Sequence, residues 1–185
     1  AVADCRIMFD AGHRVKMAIN VAARQWMEQD VAVAVMGAVR ANGLNVDDFE
    51  VEITESAMLT RTDTVAAKVR SLQAQGVRVS IDDFGTGYAS MSYVMDFHPS
   101  KLKIDRSFVS GLPDGPSSRA IVNATIALAR GVGAKVLAEG PETEAQVRYL
   151  REHGCDLAQG FYFCKPVPLD ELLSLLSHGP LPLPD

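Results

Sequence analysis

No apolar run in the 185 residues reaches the roughly 18 needed to cross a bilayer as a helix. No signal-peptide pattern stands at the amino end, which starts at Ala1 rather than Met, so the natural amino terminus is expected upstream. Cysteine is scarce. Cys5, Cys155 and Cys164 are odd in number, scattered and free of any Cys-x-x-Cys pair. That argues against a disulfide framework and for reduced thiols in a cytoplasmic setting. The four histidines (His13, His98, His153 and His178) show no metal-ligand spacing and read as surface or loop residues. Positive charge is not in surplus: 18 Lys and Arg face 23 Asp and Glu, a net charge of −5. A general binder of DNA or RNA duplexes shows a basic face instead, although one small phosphate ligand stays open. No G-x-G-x-x-G nucleotide turn is present. Asp83-Phe84-Gly85 has no His-Arg-Asp catalytic loop to accompany it, which excludes a kinase reading.

What is there is a regular alternation. At 48% hydrophobic and 22% charged, the chain can bury a real core. After a first helix over Ala1 to Gly12, strands are expected at 16–21, 49–55, 77–83, 100–105, 134–140 and 157–163. Helices are expected at 30–42, 62–75, from Ser117 or Ser118 (the candidate caps) to Arg130, from the Thr143-Glu144-Ala145-Gln146 capping box to His153, and from Pro168 to His178. The repeat of about 30 residues is the size of a βαβ step. No composition shift divides it, so residues 1–178 read as one domain and 179–185 as a tail. Six strands are two short of a (β/α)8 barrel. The expected fold is therefore an α/β, TIM-like barrel whose first two strands precede this chain. An open doubly wound sheet is the alternative.

Polar residues gather at the carboxyl ends of these strands: Asn20, Glu52, Asp82 with Asp83, Lys103, Glu139 and Gln159. Barrel active sites sit there, because the following loops form the mouth. Asp82 and Asp83 follow a β-branched run and precede a glycine-containing loop, Gly85-Thr86-Gly87-Tyr88. Two such close carboxylates repel unless a cation joins them, and hard cations want oxygen ligands. Along Phe49 to Thr54 the glutamates Glu50 and Glu52 share one face. That face is either solvated or the wall of a site.

Ile19-Asn20-Val21, Glu52-Ile53-Thr54-Glu55-Ser56, Ile81-Asp82-Asp83-Phe84-Gly85-Thr86-Gly87-Tyr88, Lys101-Leu102-Lys103-Ile104-Asp105-Arg106-Ser107-Phe108-Val109, Ala138-Glu139-Gly140 with Glu142-Thr143, and Gln159-Gly160 carry a resemblance. Together, and in this order, they resemble the EAL domain of bacterial cyclic di-GMP phosphodiesterases, from about Cys5 to Pro168. The Glu-Ala-Leu motif that names the family is absent from this chain and should lie on an earlier strand.

The resemblance implies a modified (β/α)8 barrel that hydrolyses cyclic di-GMP to linear pGpG with two divalent cations, Mg²⁺ or Mn²⁺. It makes Asn20, Glu52, Asp82 and Asp83 the metal ligands. Lys103 orients the attacking water, Glu139 acts as general base or as a ligand through water, and Gln159 completes the pocket. Glu55 holds the Gly85-Thr86-Gly87 loop, and Asp105 and Glu142 support substrate or loop at the mouth. It also implies a homodimer, fusion to sensor or GGDEF-type domains, and a cytoplasmic domain whose parent protein is free to be membrane-attached. A receptor that binds without cutting, and a dimerising regulatory domain, are the alternatives. One departure is Pro141, where the family commonly has an aliphatic residue.

Overall fold

The computed structural model describes residues 1–59, 62–87 and 91–179. Tyr88 and most of the expected tail, 180–185, lie outside the described residues. The chain divides into two compact units. One draws on 1–53, the described residues of 57–79, and 167–179; the other draws on 54–56 and the described residues of 80–166.

Helix α1 (Val2–Asp10) buries Cys5 and Met8 and stops short of Gly12, whose φ of +88° suits glycine. Strand β1 (Met17–Asn20) follows, then α2 (Ala23–Glu28) and α3 (Val31–Ala41). Asp30 starts α3 by accepting the Val33 N–H at 3.1 Å. Its apolar stripe buries Val31, Val35 and Val39. Strand β2 (Phe49–Thr54) carries Phe49, Val51 and Ile53 at 1% exposure or less. Glu50 and Glu52 on the other face are also buried, at 8% and 5%. The solvated-face reading of these glutamates is therefore wrong. Within this unit β1 and β2 pair in parallel, Met17 with Phe49 through Asn20 with Glu52.

Helices α4 (Glu55–Leu59) and α5 (Thr62–Ala74) lead to β3 (Arg78–Phe84), α6 (Met91–Phe97) and β4 (Lys101–Ile104). Then come α7 (Arg106–Val109), α8 (Pro116–Val132), β5 (Lys135–Glu139), α9 (Glu144–Glu152), β6 (Leu157–Gln159) and α10 (Leu169–Ser177). In the second unit β3 to β6 pair in parallel, each with the next. On these strands Ile81, Leu102, Ile104, Val136 and Ala138 are essentially inaccessible. Burying each large side chain is worth roughly 1.5–3 kcal/mol. Parallel strands alternating with helices form the βα repeat expected from the sequence.

Two expectations are corrected. The serines do not cap α8: Gly115 is its N-cap, without a side-chain hydrogen bond, and Pro116 takes the first turn, where its missing N–H is no loss. Strand β6 ends at Gln159, not Phe163. Tyr162 N–H turns to the Pro141 carbonyl (3.0 Å) and Phe163 N–H to the Gly160 carbonyl (3.0 Å), so the aromatic run is a turn.

Candidate active site

In a regular strand Asp82 and Asp83 would point to opposite faces. Strand β3 is not regular there. Its register on β4 shifts between Ile81 and Phe84, and Asp83 has φ +54°. A bulge of this kind re-aims a side chain, and aspartate tolerates the left-handed region better than most residues. The outcome is a cluster: one carboxylate oxygen from each of Asp82, Asp83 and Glu139 lies within 4.8 Å of the others.

Lys103 holds the cluster together. Its side chain is 5% exposed, and Nζ stands 2.9 Å from Asp82 Oδ1 and 2.8 Å from Glu139 Oε1. Asp82 Oδ1 also accepts the Asp83 N–H at 3.0 Å. Desolvation pushes the Asp83 carboxyl above its ordinary range, and the charges of Asp82, Asp105 and Glu55 add to this, while Lys103 works the other way. Two of the three carboxylates, Asp82 and Glu139, share one ammonium. Such a donor set, all oxygen and rich in negative charge, fits a hard divalent cation.

The neighbouring loop is tied back. Glu55, 2% exposed at the start of α4, accepts the N–H of Gly85 (2.8 Å) and of Gly87 (3.2 Å) through Oε2. A Cβ at Gly87 would stand 2.9 Å from Glu55 Oε1, and Gly85 has φ +97°. Thr86 Oγ1 donates to the Asp83 carbonyl at 2.8 Å. One buried carboxylate thus sets the loop beside Asp83.

At the mouth, Asp105 accepts the Ser107 N–H at 3.0 Å and caps α7, while Glu142 pairs with Arg106 at 2.6 Å. Both have structural partners here. Gln159 stands opposite Glu139 in the β5–β6 register, and its carbonyl accepts the Gly140 N–H at 2.7 Å. The first unit places Asn20 opposite Glu52, and the Val21 N–H donates to the Glu52 carbonyl at 3.1 Å. Asn20 also lines a cavity of about 200 Å³ with Ile19, Val21 and Gln25. A larger cavity, about 630 Å³, lies between α9 and β6; Gln159 lines it, and Asp82, Asp83 and Glu139 do not.

Reading the sequence gave no role to three residues that meet just past the strand ends. The half-exposed Phe161 ring has the Arg106 guanidinium 5.9 Å and the Lys165 ammonium 5.7 Å from its centroid. The available signal was position: Arg106 and Phe161 each come two residues after a strand's last residue.

The sequence model described as the EAL domain matches residues 1–166. The chain belongs to the EAL domain family. Among curated relatives, the cyclic di-GMP phosphodiesterase NbdA of Pseudomonas aeruginosa is 38% identical over 177 residues, 95% of this chain and 23% of that protein. This EAL domain spans about a quarter of the length of the curated relatives it matches. The EAL domain of Mycobacterium smegmatis DcpA superimposes with a TM-score of 0.92 at 38% identity, covering 98% of this chain and 82% of that one. A manganese and cyclic di-GMP complex of Klebsiella pneumoniae BlrP1 gives 0.81 at 29% identity, over 89% of this chain and 43% of that one. The fold is thus the α/β, TIM-like barrel of EAL domains.

Proposed function

We propose that this EAL domain hydrolyses cyclic di-GMP to linear pGpG with Mg²⁺ or Mn²⁺ bound at its strand ends. The observation that carries the reading is the Asp82, Asp83 and Glu139 cluster around Lys103, in a chain whose relatives include a named cyclic di-GMP phosphodiesterase. Asn20, Glu52, Asp82 and Asp83 are the proposed ligands. For Asn20 and Glu52 the family resemblance alone supports that role. Bound cations would supply positive charge beside the scissile phosphate and acidify water.

The chain's own groups supply the rest. A phosphodiester is anionic and repels hydroxide, and the buried ammonium of Lys103 offsets negative charge as it develops. Glu139, paired with that ammonium through Oε1, would accept a proton from the attacking water or hold a cation through water. Lys103 fixes the orientation of this carboxylate, so proton acceptance does not wait on a side-chain search. Gln159, opposite Glu139 in the strand register, would complete the pocket, and Glu55 keeps the Gly85–Gly87 loop against Asp83. Asp105 and Glu142 act through α7 and Arg106 as supports of the mouth.

The same proposal includes residues 1–178 as the domain, a homodimer in the cytoplasm, and sensor or GGDEF-type partners in the parent chain. The much greater length of the curated relatives supports the last of these. The deciding experiment is hydrolysis of cyclic di-GMP by the full-length parent with Mg²⁺ or Mn²⁺. Formation of pGpG that stops with chelator is expected. Binding without product would replace the enzyme with a receptor, and neither binding nor product would leave a regulatory domain.

A further inference from the structure

We infer that Gly160 and Pro141 form an interlock that positions Glu139 and Gln159. Neither residue touches the reacting atoms. The β5–β6 register ends with Glu139 opposite Gln159. Past that point two backbone hydrogen bonds still join the segments, Gly140 N–H to the Gln159 carbonyl (2.7 Å) and Tyr162 N–H to the Pro141 carbonyl (3.0 Å). Gly160 lies between them. A Cβ built on it would stand 2.4 Å from the Pro141 carbonyl oxygen and 2.6 Å from both its Cδ and its nitrogen. These are backbone and ring atoms, which cannot swing aside as the end of a long side chain does. Gly160 is not in the left-handed region, so glycine is needed here for space and not for conformation.

The opposite side of the same segment is equally close. Gly140 has φ +72°, and a Cβ there would stand 2.4 Å from Cγ of Arg106, whose guanidinium pairs with Glu142. Gly140-Pro141 is therefore held between the Arg106 stem and Gly160. Pro141 is buried, and its ring fixes φ, which removes one way for the segment to yield. Glu139 is the residue just before this clamp. Its carboxylate is set from one side by Lys103 at 2.8 Å and from the other by the backbone that the interlock holds. The aliphatic residue usual in the family would not provide a ring against Gly160.

The kinetic part of the test rests on the hydrolase reading above; the structural part does not. In the full-length parent, Gly160→Ala is expected to lower kcat for cyclic di-GMP about 10- to 100-fold while KM stays within about threefold, the pattern of a misplaced catalytic group. A crystal structure of the variant is expected to show Glu139 Oε1 drawn away from Lys103 Nζ. Adding Pro141→Gly keeps the carbonyl oxygen and nitrogen but removes Cδ and frees φ, so that the segment can yield to the new methyl, and is expected to restore at least about threefold of the lost kcat. An unchanged kcat with Glu139 in place would overturn the proposal, as would a loss carried by KM alone. If Gly160→Ala does not fold, Pro141→Val decides. A fall in kcat of about two- to fivefold at constant KM, with Glu139 shifted, supports the interlock, and wild-type kinetics with Glu139 unmoved removes it. A wild-type parent without hydrolysis would sink the function proposed above and leave the two crystal structures to judge the interlock.

Discussion

The two compact units present polar strand ends in different ways. In the first, Asn20 and Glu52 stand opposite each other at the end of an unbroken parallel ladder. One is neutral, so the pair carries little repulsion and needs no special backbone. In the second, three carboxylates crowd within 4.8 Å. There the ladder shifts register, Asp83 takes a positive φ and a buried lysine joins two of the acids. A regular strand can present a single acid. Concentrating negative charge requires a break in the strand and an ammonium to hold it.

The strongest way to break this contrast is to remove the ammonium. Lys103→Met is expected to cost about 3–5 kcal/mol, since it leaves buried acids without their partner. Urea unfolding in chelator measures this, and a loss under about 1 kcal/mol would mean that the carboxylates do not depend on Lys103. Next in size is Asp83→Asn. Losing a proposed metal ligand is expected to reduce hydrolysis at least about 100-fold while the fold survives.

Asp83→Asn also tests the electrostatics without metal. The Asp83 carboxyl is raised in the folded protein above 3.8. The unfolded chain therefore releases this proton first as pH rises. Stability from this group is full below the unfolded value and is lost as pH climbs through the folded one. Metal-free wild type should lose stability over that interval, and Asp83→Asn should lose less. Parallel curves for the two proteins would contradict the crowding described here.

The smallest effect sharpens the comparison from the other side. Asn20→Asp gives the first unit a facing pair of acids on a ladder without a register shift. We expect about 0.5–1 kcal/mol of destabilisation at neutral pH, relieved by acid or by millimolar divalent cation. Thermal melts with and without Mn²⁺ check it, and an unchanged melting temperature would show that this strand end tolerates added charge by itself.

Most of the fold was legible because strands and long helices announce themselves by period and punctuation. Thr143 is the clearest case. Its hydroxyl accepts the Gln146 N–H at 3.3 Å, and Gln146 Oε1 accepts the Thr143 N–H at 3.0 Å, the reciprocal cap that the sequence predicts. The helices that went unread, α2, α4, α6 and α7, span 6, 5, 7 and 4 residues. Pieces that short show too few turns for a periodic stripe. The aromatic run after Gly160 read as strand because its residues favour strands. Contact with Pro141, 21 positions before Tyr162 in the chain, overrides that preference. The residue types of the cluster were visible as strand-end polarity. The bulge, the reversed φ of Asp83 and the sharing of Lys103 between two acids depend on pairing between strands, which no single segment encodes.

The positive φ of Asp83 also bears on how a family of this kind diversifies. Asparagine and glycine are the residues most at home in that backbone region, and the codons of both differ from an aspartate codon by one base. Neither residue carries a charge. On the function proposed above, a lineage can therefore remove the Asp83 carboxylate in one mutational step and keep the barrel. Descendants that lack this carboxylate but still fold, and still hold whatever surfaces they had, lie next door in sequence space.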